Sequence, residues 1–123
     1  MANKRVLVIE DNLINMELLS DWLTATGHEV LQAYAAPEGI ESARKDNPDL
    51  VLMDIALPGM DGVEATRILK SGEETAHIPI IAVTASAMRV NLDTLSEVGC
   101  DAVVLKPLDF SVLQQKMEEV CAG

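Results

Sequence analysis

Five short runs with strand character, each followed by a stretch of helical spacing, constrain this chain more than any other feature. Val6-Leu7-Val8-Ile9 leads into Glu10-Asp11, and Leu50-Val51-Leu52-Met53 into Asp54. Ile80-Ile81-Ala82-Val83 leads into Thr84, and Val103-Val104-Leu105 into Lys106-Pro107. Runs that are apolar almost throughout suit parallel strands covered on both faces, and the helical stretches supply the crossovers. The spacing predicts strands at Arg5–Ile9, Glu29–Ala33, Leu50–Asp54, Ile80–Thr84 and Ala102–Leu105. The second of these is mixed in character, which suits an edge.

The intervening helices have recognisable ends. Ile14, Leu18 and Trp22, flanked by Leu19 and Leu23, form an apolar stripe read as core, with Gly27 placed to end it. Pro37 opens a second helix and Asn47-Pro48 stops it. Asp61 is expected to cap a third, running to about Ser71-Gly72. Met88, Leu92 and Leu95 mark a fourth, closed by Gly99; Phe110, Leu113, Met117 and Val120 mark a fifth. Trp22 is read as packing. With right-handed crossovers these units make an α/β fold, a doubly wound five-stranded parallel sheet, for which the flavodoxin-like (βα)5 type with strand order 2-1-3-4-5 is the expected form. Such sheets bind ligands outside the carboxyl ends of their strands. That order puts the first and third strands side by side, and Glu10-Asp11 next to Asp54.

Composition narrows the function. The chain has 123 residues, 49% hydrophobic and 24% charged, and no linker or repeat divides it, so one globular domain is expected. No apolar run approaches the ~20 residues of a membrane span and no signal peptide precedes Val6, which makes a cytoplasmic location the expectation. A net charge of −11 argues against nucleic acid as a direct partner. Cys100 and Cys121 lack metal-type spacing and are read as free thiols, Cys121 in register with Met117. His28 and His77 stand alone and are read as surface residues.

Three carboxylates at one sheet edge need a counter-charge, or must take up protons. At 4 Å and an effective dielectric near 20, each ionised pair costs roughly 4 kcal/mol. Oxygen ligands with no Cys or His nearby favour a hard divalent cation, Mg²⁺ first and Mn²⁺ nearly as well. A carboxylate can act as nucleophile and carry an acyl phosphate. Phosphoryl transfer then needs alignment and groups that neutralise the equatorial oxygens, for which Lys106 and Thr84 are available. Taken singly these residues have plainer readings. Asp11 or Asn12 would serve as a helix cap, Lys106 as a solvated lysine and Thr84 as an ordinary strand residue.

Together, Val6-Leu7-Val8-Ile9-Glu10-Asp11-Asn12, Met53-Asp54-Ile55-Ala56-Leu57-Pro58-Gly59-Met60-Asp61-Gly62, Ile80-Ile81-Ala82-Val83-Thr84-Ala85 and Leu105-Lys106-Pro107 resemble the receiver domain of two-component response regulators along the whole chain. The resemblance implies that Asp54 accepts a phosphoryl group from a histidine kinase or phosphotransfer protein. It implies Mg²⁺ on Glu10, Asp11, Asp54 and the backbone carbonyl of Ala56. Thr84 and Lys106 would contact the phosphoryl group, and the Lys106–Pro107 peptide would be cis. Glu10-Asp11-Asn12-Leu13-Ile14-Asn15 is similar to stand-alone regulators of the DivK type and to receivers of hybrid kinases. Residues 1–123 are thus expected to form a single receiver domain with no output domain, signalling by binding a downstream protein effector; a receiver excised from a hybrid histidine kinase is the alternative. It would assist its own phosphorylation without being an enzyme in the turnover sense.

Val103 departs from the family, many members of which carry Tyr or Phe three residues before the lysine. Valine has no ring to swing inward, so output is expected mainly through the loop after Thr84 and a helix around residues 88–98. Ser86 and Ala56 are small, which leaves a phosphate at Asp54 accessible to water. Three competitors remain. A haloacid-dehalogenase-type hydrolase would need a second acid at the position of Ala56, and a flavodoxin would need a Ser/Thr/Gly loop in place of Glu10-Asp11-Asn12. A phosphorylation-independent binding module with this fold would ignore Asp54.

Overall fold

Strands buried on both faces fix the architecture. The computed structural model describes residues 3–56, 62–84 and 92–121. Its elements alternate: β1 (Arg5–Ile9), α1 (Leu13–Ala25), β2 (Glu29–Ala33), α2 (Ala36–Asp46), β3 (Leu50–Asp54), α3 (Gly62–Ser71), β4 (Ile80–Thr84), α4 (Leu92–Glu97), β5 (Ala102–Leu105) and α5 (Phe110–Cys121). All five strands fall where the apolar runs place them. They pair in parallel in the order β2-β1-β3-β4-β5, with the mixed strand β2 at an edge as expected. This is the flavodoxin-like fold.

Alternate residues of each strand serve opposite faces. Leu7, Ile9, Val51, Met53, Ile80 and Ala82 pack under α2 and α3 through Ile40, Ala43, Ala65 and Leu69, with Leu95 of α4. Val6, Val8, Leu50, Leu52 and Ile81 pack under α1 and α5 through Met16, Leu19, Leu23, Leu113 and Met117. Trp22 stacks on Phe110 with ring centroids 4.9 Å apart, so it does serve packing between α1 and α5. Asn47 ends α2 in the left-handed region (φ 47°), donating its N–H to the Ala43 carbonyl. Cys100 and Cys121 are free thiols, Cys121 half-buried beside the Met117 cluster. Among the described residues no helix is long and apolar enough to cross a membrane.

Several expectations need correction. The stripe on α1 is not all core: Ile14 is 75% exposed and Leu18 52%, while Met16, Leu19 and Leu23 are buried. Helix α1 carries more apolar residues than one face can bury, and the sheet takes the set that includes Met16. Strand β5 is less covered than an all-apolar run implies, with Leu105 half exposed, because it lies at the other sheet edge. His28 is buried (6% exposed), not on the surface; its Nδ1 accepts the Lys4 N–H at 3.0 Å. His77 is exposed. Asp61, Leu57 to Met60, Ala85, Ser86 and Met88 lie outside the described residues.

Candidate functional site

The parallel register brings four strand ends to one edge. Ile9 pairs with Met53, so Glu10 follows β1 alongside Asp54, the last residue of β3. Asp54 pairs with Val83, so Thr84 stands one residue further along β4. Thr84 in turn pairs with Leu105, and its carbonyl accepts the Lys106 N–H at 2.8 Å. The Lys106–Pro107 peptide is cis, as the resemblance implied.

Glu10, Asp11 and Asp54 each place a carboxylate oxygen within 4.8 Å of the others. Glu10 (2% exposed) and Asp54 (5%) are buried, whereas Asp11 faces solvent. Lys106 bridges the two buried acids, its Nζ donating to Glu10 Oε1 at 3.2 Å and to Asp54 Oδ2 at 3.5 Å. The second oxygen of each acid is held by backbone. Ala56 N–H donates to Asp54 Oδ1 at 3.0 Å, and Asn12 N–H to Glu10 Oε2 at 3.2 Å. Thr84 is buried at the end of β4. Asp54, Glu10, Asp11 and Lys106 are thus brought into one cluster, with Ala56 and Thr84 joined to it through backbone.

One lysine does not balance three acids. Burial, above all, pushes the Glu10 carboxyl from 4.5 up to about 7; the hydrogen bond and charge of Asp54 push the same way, against Asn12 N–H and Lys106. Burial alone would lower the Lys106 ammonium, but Asp54 and Glu10 outweigh it and its pKa is raised. Lys106 therefore stays charged while Glu10 holds a proton part of the time near neutrality. Three oxygen donors of this kind, on an open cleft of about 610 Å³ lined also by Asn12, Asn15 and Ala56, fit a hard divalent cation.

Two features of this edge escaped the sequence reading. Leu13 (70% exposed), Ile14 and Leu18 form an apolar rim beside the acids, where the pattern had suggested core for Ile14 and Leu18. The signal was present in the excess of apolar residues on α1. Gly62 is the other. A Cβ there would lie 2.6 Å from the Asp54 carbonyl oxygen and 2.6 Å from Ile55 Cα, so α3 begins directly against the strand end that carries Asp54. Its N–H donates to the Ile55 carbonyl at 3.0 Å.

A doubly wound parallel sheet with an acidic cluster and one lysine at its carboxyl edge defines a class, the receiver-like α/β domains. The comparisons make this specific. The profile of the response regulator receiver domain matches residues 6–118. The polar-differentiation response regulator DivK of Brucella ovis is 44% identical over 105 residues, 85% of each chain. The receiver domain of the Pseudomonas aeruginosa sensor histidine kinase PA1611, with a magnesium ion coordinated in its active-site cleft, superposes with a TM-score of 0.90 at 29% identity. It covers 99% of this chain and 100% of its own. A CheY-like receiver domain protein of Methanospirillum hungatei gives a TM-score of 0.90 at 28% identity, covering 98% and 95% of the two chains. The chain belongs to the response regulator receiver domain family, in two-component signalling.

Proposed function

We propose that Asp54 accepts a phosphoryl group from the phosphohistidine of a histidine kinase or phosphotransfer protein, and that this switches binding to a downstream protein. The observation that carries the reading is the cluster itself: three carboxylates within 4.8 Å, two of them buried, sharing one lysine. Glu10, Asp11, Asp54 and the Ala56 carbonyl oxygen would hold Mg²⁺, with Mn²⁺ able to substitute. The magnesium in the cleft of the Pseudomonas relative supports this assignment. When bound, the cation supplies positive charge that the acids lack and a ligand position for a phosphoryl oxygen.

The chain's own residues do the rest. An Asp54 carboxylate oxygen attacks phosphorus while the donor's P–N bond breaks, and its electron pair leaves with the imidazole, which takes up a proton. Ala56 N–H holds Asp54 Oδ1 and so fixes the plane of the nucleophile. Lys106 gives up its bridge between Glu10 and Asp54 to pair with one phosphoryl oxygen, and the Thr84 hydroxyl donates to another. The exposed Leu13, Ile14 and Leu18 give a donor protein an apolar surface next to the acids. The gain of negative charge at Asp54 then pulls on the segments after β3 and β4 and shifts a two-state equilibrium in the surface of α4, β5 and α5. Leu105 and Val112 are exposed there.

Intact mass after incubation with acetyl phosphate tests the reading. One phosphoryl adduct is expected on the wild type with Mg²⁺, and none without Mg²⁺ or on Asp54→Asn. An adduct that persists in Asp54→Asn refutes the assignment. No adduct on the wild type, with equal partner affinity for both proteins, would favour a phosphorylation-independent binding module.

A further inference from the structure

Asn12 joins two jobs that are usually separate. Its side-chain Oδ1 accepts the Asn15 N–H at 2.9 Å, and its carbonyl accepts the Met16 N–H at 2.9 Å, so it is the N-cap of α1. Its own N–H donates to Glu10 Oε2 at 3.2 Å. We propose that Asn12 is a positioning residue for cation binding, its cap bonds fixing the backbone N–H that aims the Glu10 carboxylate into the acidic cluster. This inference rests on the receiver reading above.

The geometry leaves little other support for Glu10. Only three residues, Glu10 to Asn12, connect β1 to α1, so the orientation of the Asn12 peptide is set by where the helix begins. The cap holds Asn12 in extended backbone (φ −83°, ψ 120°), which points its N–H back toward Glu10 while the chain turns into the helix. Glu10 is buried, and of its two oxygens one meets Lys106 and the other meets Asn12. Lys106 is the group that must leave Glu10 when a phosphoryl oxygen claims it. Asn12 N–H then becomes the contact that keeps the carboxylate in place. An asparagine, moreover, caps without adding a fourth carboxylate to three that already crowd within 4.8 Å.

A plain helix cap would matter only for stability, so the test separates the two. Amide-resolved NMR titration with Mg²⁺ is run on the wild type, Asn12→Ala, Asn12→Gly, Asn12→Ser and Asp109→Ala. Glycine is tolerated at a cap nearly as well as asparagine, so Asn12→Gly keeps the fold while losing the side-chain acceptor. Asp109→Ala is the matched control. Its Oδ1 caps α5 through the N–H groups of Ser111 (2.9 Å) and Val112 (3.4 Å), with no bond to Glu10. Asn12→Ala and Asn12→Gly are expected to weaken Mg²⁺ binding about ten-fold, the lower range for a group that orients a metal ligand. Asn12→Ser should restore it, and Asp109→Ala should lose stability to urea but keep wild-type affinity. Wild-type affinity in Asn12→Gly, no rescue by Ser, or equal weakening in Asp109→Ala overturns the positioning role while leaving the receiver reading intact. A wild type with no saturable Mg²⁺ response overturns both.

Discussion

The two edges of the sheet use the same kinds of residue to opposite ends. At the amino edge two cations have partners: Arg5 meets Glu29 at 2.8 Å and donates to the Asp46 carbonyl, and Lys70 meets Asp101 at 2.9 Å and donates to the Ile78 carbonyl at 2.7 Å. Both Arg5 and Glu29 are well exposed, so that pair is worth little on its own. At the carboxyl edge one lysine serves two buried acids with a third beside them, and burial above all raises the Glu10 carboxyl to about 7. Paired charge closes the bottom of the sheet. The excess of acid at the top is, in the proposed function, the opening for a cation and a phosphoryl group. Function is thus written in the imbalance of acids over bases, more than in the presence of charge.

Substitutions at the two edges should separate these roles. Lys106→Ala is expected to slow Mg²⁺-dependent phosphoryl uptake about a hundred-fold, as loss of a preorganised positive group does elsewhere. It should leave Mg²⁺ uptake in place, since the lysine repels a cation from the same acids. Stopped-flow or quench kinetics with acetyl phosphate, paired with a Mg²⁺ titration, read both quantities; an unchanged rate would remove Lys106 from the chemistry. Lys70→Ala at the opposite edge should do the reverse. It leaves the Ile78 carbonyl without its lysine and is expected to cost about 1–3 kcal/mol in urea unfolding while phosphoryl uptake holds. A slowed rate there would mean that the edges are coupled through α3.

The smallest effect concerns His28. Burial, with the charge of Lys4, lowers its pKa below the ordinary 6.5. Its contribution to stability is therefore complete above about pH 6.5 and is lost as the pH falls through the folded-state value, because the unfolded chain takes up the proton first. His28→Asn, which keeps an acceptor for the Lys4 N–H, should flatten the acid side of the urea-midpoint profile without changing Mg²⁺ affinity. An unaltered profile would place the pH dependence on other groups.

Strand positions were legible because a parallel strand buried on both faces has to be apolar almost throughout, and β1, β3 and β4 obey this residue by residue. Strand order came from taking the flavodoxin-like form of the doubly wound sheet, with the mixed character of β2 agreeing with an edge. The acids were legible as strand-end interruptions of apolar runs. Helix α1 was harder to read, because Leu13, Ile14, Leu18, Leu19, Trp22 and Leu23 surround most of the helix and periodicity alone does not say which arc meets the sheet. Tertiary packing chose Met16, Leu19 and Leu23. His28 was misread for a related reason: a lone histidine gives no pattern, and only the fold brings Lys4 N–H to its ring. Gly62 stood in a recognised motif, yet its steric role appears only when α3 is seen against Ile55.

One consequence of the Lys106–Glu10 contact concerns synthesis of the chain. The two residues are 96 positions apart, and the lysine follows the strand that closes one side of the sheet. A growing polypeptide that has released β1 to β4 from the ribosome holds all three acids but not the cation that bridges two of them. It can be extended, and it can begin to collapse, but it has no complete acceptor until β5 docks. Domains fold as units during translation. Under the proposed function, full competence to receive a phosphoryl group would then belong to the finished domain and not to its first four strands.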